Sequence, residues 1–201
     1  MLKIVIDSVP VQLDLPNDAS FATICAEAMK HLLKDYRAIS QCKLDGKVVV
    51  EPDKVDSLLS KFTLLEIESR PLKEILIDSL QQHILDFKHL EQSTEQLVTD
   101  CLLAEPQEIV DQWSKICDIT KKKLSIVPTL APILDEKQLE AQMEPLFNEL
   151  NKIMSEASAS FSTADVVSFS DTLENNFIPW IQKFRTVIQT AQTEVEKLKT
   201  E

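Results

Sequence analysis

Histidine and cysteine most often carry acid–base, nucleophilic or metal chemistry, and this chain of 201 residues holds three histidines and four cysteines. His31, His83 and His89 each stand about one helical turn from an aspartate: Asp35 follows His31, and Asp86 lies between His83 and His89. Such spacing makes solvated ion pairs. A tetrahedral zinc site needs several converging ligands, and no cysteine or second histidine stands one helical turn from any of the three. A di-iron bundle needs Glu-x-x-His on two helices, and the nearest approach is the single Asp86-x-x-His89. His83 falls on an apolar stripe, where a buried, hydrogen-bonded imidazole is expected. Cys25, Cys42, Cys101 and Cys117 are scattered without Cys-x-x-Cys spacing, each among apolar neighbours, and read as reduced, buried thiols. No metal is expected.

Glycine narrows the chemistry further, because Gly46 is the only one. Phosphate-cradling loops, dinucleotide-binding turns and the G-x-S-x-G elbow all need glycines where backbone approaches a ligand or turns with positive φ. Asp86, Glu91, Glu95, Asp100, Glu105 and Glu108 occupy mostly polar positions among Gln, Lys and Thr, as solvated helix faces do. The expectation is a protein that is not an enzyme and holds no cofactor. A formal charge of -12 disfavours nucleic acid and anionic membranes, both of which select clustered Lys and Arg. The one basic cluster, Lys121-Lys122-Lys123, falls near a predicted helix C-terminus, where cations complement the macrodipole. Only five apolar-leaning residues precede Asp7, too few for a signal-peptide core, and no stretch approaches membrane-spanning length, so a cytoplasmic location is expected.

Between Phe62 and Leu80 the hydrophobic period changes from two to about 3.6, with Arg70-Pro71 at the junction. Before it, Leu2, Ile4 and Ile6, then Val11, Leu13 and Leu15, alternate as a hairpin across a short turn from Asp7 to Pro10. Asn17, Asp18 and Ser20 offer N-cap oxygens to a helix carrying Phe21, Ile24, Ala28, Leu32 and Leu33. Cys42, Leu44, Val48 and Val50 flank Asp45-Gly46, a pair that favours a type I′ turn. A short helix over Val55 to Leu59 then leads to a strand with Leu65 and Ile67.

The order hairpin, helix, hairpin, short helix, strand resembles the ubiquitin-like β-grasp fold over residues 1–70. The run Leu44-Asp45-Gly46-Lys47 through Leu65-Glu66-Ile67 is similar to ubiquitin's second hairpin and final strand. The Gly-Gly terminus of the conjugated family members is replaced by Arg70-Pro71, and the chain continues, so the resemblance implies neither conjugation nor sulfur delivery. Lys43 stands at a position of ubiquitin's apolar partner patch. Val5 and Leu64 would be neighbours on the outer sheet face if the first and last strands pair in parallel as in that family.

After the junction, Leu76, Leu80, His83, Phe87, Leu90, Thr94, Leu97 and Cys101 keep four-three spacing and predict one long helix. Glu105-Pro106 closes it and opens a second, with Ile109, Val110, Trp113, Ile116, Cys117, Thr120 and Leu124 on its apolar face. Pro128 and Pro132 predict a stiff connector over Val127 to Leu134. Asp135 with Gln138 reads as a capping box for a third helix bearing Leu139, Met143, Leu146, Leu150, Ile153 and Ala157. A cap at Ser162 to Asp165 starts a fourth, with Phe169, Leu173, Phe177, Trp180, Ile181, Phe184 and Ile188, that reaches the C-terminus. The expected fold class is α+β: a ubiquitin-like β-grasp domain over 1–70 and an antiparallel four-helix bundle over 72–201.

Pro145 and Pro179 lie inside predicted helices at similar heights of an antiparallel pair, where each should kink its helix. This predicts an opening bordered by Phe147, Phe177 and Trp180, a candidate small-molecule or acyl-chain site. The main functional expectation is a non-enzymatic interaction module, an adaptor, scaffold or chaperone-like protein. Its partner is another protein or a second copy, with Val5 and Leu64 or exposed leucines such as Leu102 and Leu103 as surfaces. The third reading is an enzyme with carboxylates converging between the domains, for which a raised carboxylate pKa would be the sign.

Overall fold

A computed structural model describes residues 2–16, 19–50, 55, 61–130, 133–134 and 136–197. The caps expected at Asn17 and Asp18, the helix expected over 55–59 apart from Val55, Pro132, the Asp135–Gln138 box and Leu198 lie outside them. The chain divides into two compact units, one up to Leu76 and one from Ile77 on.

In the first unit, β1 (Lys3–Ile6) and β2 (Val9–Pro10) join through Asp7 and Ser8, both with positive φ. That tight turn sets Val9 opposite Ile6 and Pro10 opposite Val5. The second strand therefore begins earlier than the alternation at Val11, Leu13 and Leu15 suggested. Those three side chains instead pack, half-buried, against the core; Val11 N still donates to Ile4 O at 3.1 Å, while Leu13 and Leu15 lie beyond the paired strand. A period of two identifies an extended chain with one buried face, but not its hydrogen-bonding partner.

Helix α1 (Phe21–Leu32) is capped by Ser20, whose hydroxyl accepts from Thr23 N at 3.0 Å. It buries Phe21, Ile24, Ala28 and Leu32, the positions its spacing marks. Tyr36 leaves the following 3-10 turn in the left-handed region and releases β3 (Arg37–Leu44). Asp45 and Gly46, with φ of 46° and 79°, form the tight turn to β4 (Lys47–Val48), as a type I′ pair must. Asp45 also reaches across to accept from Thr63 Oγ1 and from Leu64 N, at 2.9 and 2.8 Å. β5 (Leu64–Pro71) completes a mixed sheet of order β2-β1-β5-β3-β4, with β1 and β5 parallel and the other pairs antiparallel. Ile4, Ile6, Leu44, Leu65 and Ile67 share the face that packs with α1.

Rather than interrupting the ladder, Arg70 and Pro71 extend it, pairing with Ala38 and Arg37. Proline is tolerated because it is the strand's last residue. Leu72 N then donates to Tyr36 O at 2.8 Å as helix α2 (Leu72–Asp100) begins without a linker.

One polar cluster ties the β1–β2 turn to β5 and β3. Ser69, buried in β5, donates its hydroxyl to Asp7 Oδ2 at 2.5 Å and its amide to Asp7 Oδ1 at 2.8 Å. Arg37 donates through Nε to Ser69 Oγ at 2.7 Å and through Nη2 to Ser69 O at 2.9 Å. Burial pushes the Asp7 carboxyl up, but the Ser69 bonds and the Arg37 charge outweigh it and hold the pKa below the usual carboxylate range.

The second unit is helical. α2 buries Leu80, Phe87, Leu90, Thr94 and Leu97 in the expected register, and Thr94 satisfies its hydroxyl on Leu90 O at 2.8 Å. α3 (Pro106–Lys123) begins on its proline and ends in the three lysines, with Ile109, Ile116 and Thr120 buried. The stiff connector starts instead as a helical turn, α4 (Val127–Leu130), where Pro128 sits in a first turn that needs no N–H from it. α5 (Glu136–Ser162) continues through Pro145. The expected fourth helix is divided into α6 (Val166–Thr172), capped by Asp165, a π-helical turn over Leu173–Phe177, and α7 (Ile178–Lys197). Phe87 stacks on Phe184 at 4.8 Å, Glu91 of α2 accepts from both Gln182 and Arg185 of α7, and Lys123 pairs with Asp86. No helix among the described residues is long and apolar enough to cross a membrane.

Ser69→Ala should destabilise the first unit by about 1 to 2 kcal/mol, because it strips Asp7 and Arg37 of a shared partner. A depressed folded pKa stabilises above the unfolded value and loses that contribution as pH falls through the folded one. The wild-type advantage should therefore be full near neutral pH and shrink on acidification below the ordinary carboxylate pKa, as read by thermal unfolding of both proteins across that range.

Candidate functional site

The outer face of the first unit's sheet is set by the β1–β5 register, in which Lys3 faces Leu64 and Val5 faces Glu66. Val5 and Leu64 are thus diagonal neighbours on that face, both half-buried. Lys43 stands opposite Glu66 and pairs with Glu68, so charge rims the two apolar side chains.

The opposite face carries a feature the sequence did not show. A groove of about 430 Å³ runs between the first turns of α1 and the strands β3 and β4, lined by Phe21, Cys25, Ile39, Cys42 and Val48 among others. Its lining is mostly apolar. Helix spacing puts Cys25 one residue past the buried Ile24, and strand alternation puts Cys42 on the same face as buried Leu44. Their sulfurs come to 4.0 Å. Either thiol can donate to the other; with Cys25 as the donor, the bond raises Cys25 and lowers Cys42, while burial acts to raise both. The signal in the sequence was only that both residues border a predicted core; their pairing depends on where α1 lies on the sheet.

In the second unit, the proline level is filled. Trp180 is 0% exposed, stacks on Phe177 at 5.7 Å and 5°, and contacts Phe184 at 5.5 Å. Its indole Nε1 donates to Leu146 O at 2.8 Å, one residue beyond Pro145. Phe177 is equally buried, Phe147 and Pro179 are half-buried, and Pro145 is exposed. Trp113 packs edge-on against Phe177 and Phe169 at 5.4 and 5.5 Å. A separate void of about 20 Å³ beside Ile109, Phe161 and Phe169 has room for roughly one water.

The π turn explains how Pro179 is accommodated. Proline has no N–H to give and its ring crowds the carbonyl of the preceding turn; a turn closed by Ile178 N on Leu173 O is wider and relieves that crowding. Phe169, Leu173, Phe177 and Ile181 recur at steps of four, each overshooting a 100° helical repeat by about 40°, and the wide turn keeps them on one face.

Several of the titratable residues singled out in the sequence have structural partners. His83 Nδ1 donates to Ser79 O at 2.8 Å. Burial raises Asp86, but bonds from Lys123 and Gln82 and the charges of Lys123 and His83 bring it below the usual range. Burial and Asp118 push Cys117 up to about 11, and burial with Asp100 raises Cys101. Among the described residues, no group of three or more His, Cys, Asp or Glu is placed to hold a metal ion.

No family model, no curated protein and no solved structure matches this chain.

In a Trp113→Phe variant, where Trp180 is the sole indole, emission should be blue-shifted and resistant to iodide without any ligand, and an apolar dye should leave it unchanged. Strong quenching relieved by the dye would instead establish an open site. Trp180→Phe should cost about 2 to 4 kcal/mol, through a cavity and an orphaned carbonyl partner.

Proposed function

We propose that this protein is a non-enzymatic protein–protein interaction module in which a ubiquitin-like β-grasp domain and a helical bundle share one chain. The strand order β2-β1-β5-β3-β4, parallel pairing of the first and last strands, and a helix on one sheet face support the β-grasp reading. The observation that carries the interaction reading lies in the second unit. Leu102 and Leu103, between α2 and α3, are 76% and 84% exposed.

Their backbone is held in place: Leu103 N and Ala104 N both donate to Asp100 O, at 2.9 and 2.7 Å, and Leu102 N donates to Thr99 O at 3.3 Å. Two adjacent leucines on a hydrogen-bonded turn present apolar surface without paying the ordering cost that a loose loop would. Burying each fully against a partner gains roughly 1.5 to 3 kcal/mol. The simplest partner is a second copy, because a two-fold axis makes the same patch complementary to itself.

Sedimentation velocity over a concentration series should show a monomer–dimer equilibrium for the full chain, weakened at least about ten-fold in Leu102→Ser/Leu103→Ser, the loss of about 1.4 kcal/mol or more of association energy. A monomer throughout, or a dimer indifferent to the substitutions, would overturn self-association through this turn.

A further inference from the structure

We propose that Cys25 and Cys42 form a reversible dithiol–disulfide pair that exchanges with low-molecular-weight disulfides, such as oxidised glutathione, entering through the groove between α1 and β3–β4. The inference is independent of the interaction reading above.

The geometry has three parts. First, the sulfurs lie 4.0 Å apart, and a disulfide needs about 2.05 Å, a closure within reach of side-chain rotation because both residues project into the same space. Second, both thiols are only half-buried and line a groove of about 430 Å³, so a small disulfide can approach them. Third, the two thiols share one S–H···S contact in which either can donate, so that whichever sulfur accepts is favoured as the attacking thiolate and the donor keeps the proton of the resolving thiol; the steps below are written with Cys42 as the acceptor. Cys101 and Cys117 have no such partner thiol within the hydrogen bonds described, and each is raised by burial beside an aspartate.

The exchange balances in two steps. The Cys42 thiolate attacks one sulfur of RSSR, the S–S bond breaks, and RS⁻ leaves to take a proton from water, giving Cys42–S–S–R. Cys25 then loses its proton and attacks Cys42 Sγ, expelling the second RS⁻. Overall, two protein thiols and RSSR become one protein disulfide and two RSH; the pair is oxidised by two electrons and the small disulfide is reduced. The product cross-links α1 to β3 across the mouth of the groove, and a dithiol reductant reverses it.

The test uses the full-length protein equilibrated with oxidised and reduced glutathione, quenched with an alkylating agent and mapped as non-reduced tryptic peptides. The expected result is a Cys25–Cys42 linkage, lost on adding dithiothreitol, with Cys101 and Cys117 recovered alkylated. Cys25→Ser and Cys42→Ser should each trap glutathione as a mixed disulfide on the remaining cysteine of the pair, because the resolving thiol is gone. A Cys101→Ser/Cys117→Ser variant should form the linkage like the wild type. Recovery of both Cys25 and Cys42 as free thiols in the most oxidising buffer, from protein with unchanged circular dichroism, would overturn the proposal, as would preferential linkage to Cys101 or Cys117.

Discussion

The parallel ladder between β1 and β5 is the constraint on which the first unit depends. It joins Lys3 to Leu64 and Ile6 to Ile67, residues some sixty positions apart, and so closes the loop that contains every other element of that unit. Such closure is entropically costly, and the return is a continuous buried face. Ile4, Ile6, Leu65 and Ile67 form the centre of that face, and α1 lies against it. Lys3 N to Thr63 O at 2.8 Å and Asp7 N to Ile67 O at 2.9 Å mark the two ends of the ladder. The Asp7–Ser69–Arg37 cluster begins where it stops and carries the connection on to β3. With α1 fixed on this sheet, the placement of Cys25 against Cys42 and of Val5 beside Leu64 follows.

In the second unit the comparable role belongs to the aromatic column around Trp180. Phe177 stacks on Trp180, Trp180 meets Phe184 at a tilt, and Phe184 stacks on Phe87; Trp113 meets the column from α3, and the indole N–H is used on the Leu146 carbonyl. A buried indole demands a partner, and the α5 backbone provides it. The π turn before Pro179 is the local irregularity that keeps Phe177 and Trp180 in this column. Glu91 with Arg185 and Gln182, and Lys183 with Glu149, add charge-assisted links at the margin of the packing.

Much of this was legible in the sequence where local chemistry decides the outcome. Asp45-Gly46 makes its turn because both positions need positive φ; Ser20 caps α1 because its hydroxyl reaches Thr23 N; Leu80, Phe87, Leu90, Thr94 and Leu97 bury as their spacing marks, whereas His83, expected to be buried among them, stays half-buried because its ring reaches out to Ser79 O. Long-range pairing was not legible. The alternation at Val11, Leu13 and Leu15 looked like a strand, yet a two-residue turn at Asp7-Ser8 gave the ladder to Val9 and Pro10. The steps of four from Phe169 to Ile181 did contain the wide turn, but a helix of constant pitch conceals it. Cys25 and Cys42 are seventeen residues apart in different elements, and no periodicity links them. Prolines suggested an opening near Trp180, where the aromatic side chains themselves occupy the space.

The groove, the cysteine pair and the outer face all inherit their positions from the β1–β5 pairing. Nuclear Overhauser contacts between backbone protons of residues 3–6 and 64–67 in the labelled full-length protein measure that pairing. The account predicts a parallel pattern, with Lys3 and Ile6 close to Leu64 and Ile67 respectively, and slow amide exchange at Lys3 and Asp7. An antiparallel pattern, or no contacts between these segments while the helices remain protected, would contradict it.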